Sequence, residues 1–181
     1  MSISIGMAKT SVESLGSRIL VAGIGNRLMG DDGFGPRVID LLSTFDIPNS
    51  VDLRDFGTAG LTIATDLEEY DLVIFLDSAD VEGGPGVIFK TEVVVEGGLD
   101  DMAEISRFTL HEVGLEGLLR FSKAIGTLPS KVILIGCKPK AVGPSLELSS
   151  EVEEATHRAA EMVQNTLKQI LSERKKGDSK D

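Results

Sequence analysis

Three short runs, ILVAGI at Ile19–Ile24, LVIFL at Leu72–Leu76 and KVILIGC at Lys131–Cys137, are apolar along nearly their whole length. A strand with one wet face alternates apolar and polar residues. A strand with no polar face is buried on both sides, as in the interior of a parallel sheet. The segments between these runs carry helical spacing. Val38, Leu41, Leu42 and Phe45 share one stripe in Pro36–Phe45, and Val152, Ala155, Ala159, Val163, Leu167 and Ile170 share another after Ser150. Buried strands alternating with amphipathic helices predict a three-layer α/β/α sandwich around a mostly parallel sheet.

The other elements follow from local signals. Val51–Phe56 reads as a second strand, and Gly57-Thr58-Ala59-Gly60 leads into a helix over Ala59–Leu67 with Thr58 as its N-cap. Val87–Val95 is rich in β-formers and follows Leu72–Leu76 too closely for a crossover, so it is expected antiparallel at an edge. Thr109-Leu110-His111-Glu112 and Ser150-Glu151-Val152-Glu153 fit capping boxes. The first is expected to open a helix to about Ile125 that buries Leu110, Val113, Leu118 and Phe121. Gly97–Ile105 is polar and reads as irregular. Residues 18–172 are expected to form one domain, with a flexible extension at 1–17 and a polar, fraying tail at 173–181.

Composition narrows the function classes. The 181 residues carry 18 basic and 29 acidic side chains, for a net charge of −11, a field that opposes a nucleic-acid backbone. No apolar run approaches the ~20 residues that span a bilayer, and the N-terminus has no signal-peptide core. A single cysteine, Cys137, makes no internal disulfide. A cytoplasmic protein with neither nucleic acid nor membrane as partner is the expectation.

The chemistry gathers around Arg18–Asp40, RILVAGIGNRLMGDDGFGPRVID: a strand, a glycine-bearing turn, two adjacent carboxylates and a helix with Pro36 in its first turn. A dinucleotide fingerprint fails here. Its third glycine is Leu28, and Asp31 and Asp32 stand where a pyrophosphate needs bare backbone amides. Either acid alone reads as a helix cap complementing the dipole. Asp77, at the carboxyl end of a buried strand, is expected to point into the ligand crevice, with a structural acid tying down a loop through backbone amides as the alternative. His111 falls in the first turn of a predicted helix, where the dipole disfavours imidazolium and leaves a neutral nitrogen donor, or else a half-exposed surface histidine. Acids from two loops and a histidine from a third make an oxygen- and nitrogen-rich site with open positions. His157 reads as surface and Cys137 as a small buried side chain. Neither a G-x-S-x-G elbow nor an H-E-x-x-H pair occurs.

Several of these features, in this order, resemble one family. G-x-G-N-x-L-x-x-D-[DE]-x-x-G stands at Gly23–Gly35, D-x-G-T-A-G at Asp55–Gly60, the strand-ending Asp77 in LVIFLDSAD, and H-x-x-G-L at His111–Leu115. From Ile19 to about Leu171 the chain resembles the [NiFe]-hydrogenase maturation endopeptidases, peptidase family M52, which trim the C-terminal extension of the hydrogenase large subunit. The resemblance implies a phosphorylase/hydrolase-like fold with about five strands, one antiparallel. It places the family's three metal-contacting positions on Asp32, Asp77 and His111, which are then the catalytic and metal-binding candidates, with Asp31 a structural neighbour.

The implied partner is a [NiFe]-hydrogenase large-subunit precursor, and the implied metal is nickel delivered by that substrate, with zinc or cadmium as other occupants of the site. Nickel docked on the three side chains positions the scissile peptide, and either the metal polarises its carbonyl or a carboxylate activates water. Gly57, Thr58, Ala59 and Gly60 are substrate-binding candidates, since a glycine-bounded turn admits close backbone approach; a plain strand-to-helix turn weighs equally. The glycines of Gly23–Gly35 are expected to open a path for a protein tail. A non-catalytic, nickel-sensing chaperone of the same precursor is the alternative. A nucleotide-dependent enzyme and other hydrolases of similar fold fit the motif string less well.

Overall fold

The computed structural model describes residues 18–58, 63–95 and 114–178. Five strands, β1 (Ile19–Ile24), β2 (Val51–Gly57), β3 (Leu72–Ser78), β4 (Ile88–Glu92) and β5 (Lys131–Cys137), form one sheet in the order β2-β1-β3-β5-β4. The first four in that order run parallel, and β4 lies antiparallel to β5 at the edge, as its short connection requires. Among the described residues three α-helices flank the sheet: α1 (Phe34–Leu42), α2 (Leu115–Ile125) and α3 (Ser150–Asp178).

The period of two along each strand divides the core. Ile19 and Val21 of β1, Leu72, Ile74 and Leu76 of β3, and Ile133 and Ile135 of β5 pack beneath α1 and α3. Leu20, Ala22, Val73, Phe75 and Val132 face the opposite layer, which holds Leu118 and Leu119 of α2 and the segment from Ile63 to Tyr70. Both faces of β1 and β3 are covered, so these strands carry no polar face. The chain leaves β1 for β2 on one side and returns as β3 on the other. That reversal opens a crevice at the carboxyl ends of β1 and β3.

Several local expectations are corrected. α1 stops at Leu42 and Ser43–Phe45 turn away, so Phe45 is 45% exposed rather than part of the buried stripe. Ile63–Leu67 is not α-helical: a 3-10 turn spans Asp66–Glu69, and buried Ala64, Leu67 and Tyr70 recur at every third residue, the 3-10 repeat. The stretch 59–62, where that helix was expected to begin, lies outside the described residues. α2 starts at Leu115, because Gly114 is extended (φ −67°, ψ −171°) and interrupts any helix begun at Thr109. Leu118 is buried and Phe121 half-buried as expected, whereas Leu110 and Val113 lie outside the described residues, as does Gly97–Ile105.

The second capping box is also displaced. The first intrahelical acceptor of α3 is the Ser149 carbonyl, bonded by the Glu153 amide at 2.8 Å, and the Ser150 hydroxyl turns to Glu151. At its other end α3 runs on to Asp178, through a stretch whose polarity suggested fraying. Glu, Arg and Lys are good helix formers, and Lys175 and Lys176 in the last turn complement the dipole. Among the described residues no helix is long and apolar enough to cross a membrane.

Candidate active site

The turn after β1 is built by close backbone contact. Gly25 has φ 129°, and a Cβ there would collide with the Asp32 carbonyl. A Cβ on Gly35 would collide with the carbonyls of Leu76 and Ile24, so the first turn of α1 sits directly on the ends of β1 and β3. These glycines let the chain fold against itself; the space expected for a protein tail is filled by its own backbone.

That folding sets the two neighbouring acids in different environments. Asp31 is 1% exposed and turns away from the crevice. Its carboxylate accepts hydrogen bonds from the amides of Lys140 (2.7 Å), Ala141 (2.9 Å) and Ser149 (2.6 Å) and from the Ser149 hydroxyl (2.9 Å). Burial alone pushes this carboxyl up, but the amides of Ser149, Ala141 and Lys140 and the Ser149 hydroxyl together hold it below its ordinary value. The acid that the Ser149 amide would find in a capping box comes here from 118 residues away.

Asp32 is half-buried in the 3-10 turn Asp31–Gly33. One of its oxygens accepts the Asn26 amide at 2.7 Å and the other the Ser78 hydroxyl at 3.0 Å. Asp77, next to last in β3, is near enough for the two charges to repel. Burial first, and the Asp32 charge second, push the Asp77 carboxyl up to about 7, against the lowering effect of the Ser78 amide. A cavity of about 600 Å³ opens beside Asp77, walled among the described residues by Val93, Val95, Leu115, Leu119 and Leu134.

His111, Ala59 and Gly60 lie outside the described residues. Among the described residues no group of three or more His, Cys, Asp or Glu side chains is placed to hold a metal ion; the pair Asp32 and Asp77 is what the fold assembles. Gly57 has φ 53° and its carbonyl accepts the Gly25 amide at 2.9 Å, tying this turn to the site loop, while Thr58 is exposed. His157 is exposed on α3. Cys137 is fully buried, and burial first, then the Asp31 charge, push its thiol up to about 11, which disfavours the thiolate.

Sequence reasoning missed Ser78 and Arg27. Ser78 was visible only as the residue after a strand-ending acid. Arg27 bonds Asp55 (2.8 Å), Asp40 (2.6 Å) and the Pro36 carbonyl (3.1 Å), locking β2, α1 and the turn together.

Residues 36–166 match the family model described as hydrogenase maturation protease. The chain belongs to the hydrogenase maturation protease family. The hydrogenase expression/formation protein HupD of Bradyrhizobium diazoefficiens is 33% identical over 124 residues, 68% of this chain and 63% of that protein. The chain thus spans less than two thirds of that relative, and 57% and 59% of two further HupD proteins. The crystal structure of a hydrogenase 2 maturation peptidase from a Thaumarchaeota archaeon is 58% identical with a TM-score of 0.64, covering 83% of this chain and 98% of that one. The maturating endopeptidase HybD of Escherichia coli is 28% identical with a TM-score of 0.70, covering 84% and 93%. These likenesses agree with a five-stranded, mostly parallel sheet flanked by helices.

Proposed function

We propose that the protein is an endopeptidase that removes the C-terminal extension of a [NiFe]-hydrogenase large-subunit precursor after nickel insertion, engaging the substrate's nickel through Asp32, Asp77 and His111. The observation that carries this reading is the carboxylate pair at the crevice. Asp77 is partly buried beside a like charge, an arrangement that costs stability and is relieved by a cation. Asp32 is oriented from two sides, by the Asn26 amide and the Ser78 hydroxyl, and each of its oxygens keeps a lone pair for a ligand.

The chemistry follows from that poise. Burial and the Asp32 charge favour the protonated Asp77 carboxyl, and a divalent ion arriving on the substrate would displace that proton. The metal then positions the scissile peptide, with a carboxylate as the general base for water or the ion as the polariser of the carbonyl. A precursor without nickel leaves the carboxylates unpaired, which couples cleavage to correct loading. Zinc or cadmium has the charge and ligand preference to occupy the same donors.

The test is mass spectrometry of nickel-loaded precursor after incubation with the protein. Loss of the tail is the expected result; a complex mass with the tail intact means a nickel-sensing chaperone instead. Asp77→Asn or His111→Ala processing at the wild-type rate would remove those residues from the mechanism.

A further inference from the structure

Among the described residues, three of the large apolar side chains that stand in solvent occupy one neighbourhood: Leu28 is 62% exposed, Val142 55% and Leu146 69%. They belong to two loops that are far apart in sequence and bonded together along their backbones. The Ser145 amide donates to the Leu28 carbonyl at 3.0 Å, the Gly143 amide to Met29 at 3.3 Å, and the Gly30 amide to Ser145 at 2.9 Å. Met29 pairs with Ser145 and Gly30 with Val142 as isolated bridges. Beneath them Asp31 fastens Lys140, Ala141 and Ser149 to the same turn.

We infer that Leu28, Val142 and Leu146 form a preorganised apolar surface on which the folded body of the precursor docks, an inference that rests on the function proposed above. Two observations choose this occupant. The patch is continuous with the candidate site, since Leu28 lies four residues before Asp32 on one fixed turn, so a protein seated there delivers its tail to the crevice. The backbone donors and acceptors of the two loops are largely spent on each other and on Asp31. They offer little open edge for an extended peptide to pair with, and what remains for recognition is the aliphatic side chains. A fixed apolar surface suits a folded partner with an uncharged patch around the base of its tail, because little loop entropy is lost on docking. The remaining exposed large hydrophobics, Phe45, Val87, Val94 and Ile125, lie on other segments.

The experiment measures initial rates of tail removal across a range of nickel-loaded precursor concentrations. It compares wild-type protein, Leu28→Ser, Leu146→Ser, the double variant and, as a control, Phe45→Ser in the turn that follows α1. The double variant is expected to raise KM by about ten-fold or more while kcat stays within about two-fold, with the control unchanged. Equal binding of precursor by Asp77→Asn protein with and without the two serines would overturn the inference, as would a loss of kcat at unchanged KM. A wild-type dimer in light scattering that the double variant dissolves would assign the patch to a second copy and overturn it as well. If wild-type protein trims no precursor, the proposed function fails first, and the two failures are distinguished.

Discussion

Asp31 is buried and Asp77 partly so, and they behave in opposite ways. Asp31 is met by four hydrogen-bond donors and is held ionised below its ordinary range. Asp77 lies partly buried beside a negative charge, which the lowering effect of the Ser78 amide does not offset, and rises to about 7. Burial does not decide the fate of a carboxylate; the donors that await it do. The first acid spends all its capacity on the fold, holding the loop before α3 to the turn after β1. The second stands beside a like charge, and that is what suits it to a cation.

The largest expected effect comes from breaking the satisfied site. Asp31→Ala removes the one carboxylate that three backbone amides and a hydroxyl share, at a cost of about 3–5 kcal/mol. In a chain of this size that lowers the melting temperature by roughly 10 °C, and thermal unfolding followed by circular dichroism checks it. Asp32→Ala, one residue on and half-exposed, should lose far less.

Gly35→Ala tests how the two acids are brought side by side. A Cβ there meets the carbonyls of Leu76 and Ile24, both backbone and unable to yield, so about 2–4 kcal/mol of destabilisation is expected in urea unfolding. Gly143→Ala, where a Cβ finds nothing within 4 Å, should stay near wild type. A tolerant Gly35 would mean that α1 can slide on the sheet, and the spacing of Asp32 from Asp77 would not be fixed by packing.

Asp77→Asn should act in the opposite direction, with a pH dependence whose sign follows from linkage. The native state binds an extra proton at Asp77 between the ordinary carboxyl range and about 7, so this group's stabilising contribution is complete at low pH and is lost as pH rises through about 7. At pH 8 the wild-type protein carries a buried charge beside Asp32, and the neutral amide removes it. The variant should be more stable by about 2 kcal/mol at pH 8 and nearly equal to wild type at pH 4, read from urea midpoints at both. It should also be inactive. Asp31 has the reverse linkage: its contribution is present above the ordinary carboxyl range and is lost as pH falls through its depressed value.

What the sequence disclosed and what it withheld divide along the same line. Strands β1, β3 and β5 were legible because burial on both faces leaves an unbroken apolar run, and antiparallel β4 because its connection is too short to cross over. Asp77 was legible as an acid at a strand end, where an open sheet places its crevice, whereas Asp32 was singled out from Asp31 only by the family resemblance. The role of Asp31 was not, since its partners stand 109 to 118 residues away and no local pattern encodes them. The same distance explains the capping box misplaced by one residue: Ser150-x-x-Glu153 satisfies the local rule, but Asp31 captures Ser149 first. The start of α2 was misjudged because a capping box was weighed without the extended Gly114 behind it. The glycines of the turn were read as openings because sequence shows a missing side chain but not what fills the space.

Ser78 carries the smallest effect and separates the two acids most finely. It acts on both members of the functional pair, its hydroxyl donating to Asp32 and its backbone amide lowering the Asp77 carboxyl. Ser78→Ala removes only the hydroxyl bond, and because Asp32 is half-exposed water can replace it, so the loss should be about 1 kcal/mol or less. A small melting shift measured beside a larger fall in kcat would show that the bond orients Asp32 more than it stabilises the fold. A loss as large as that of Asp31→Ala would erase the distinction, because Asp32 would then be a second structural knot rather than a carboxylate held ready for a ligand.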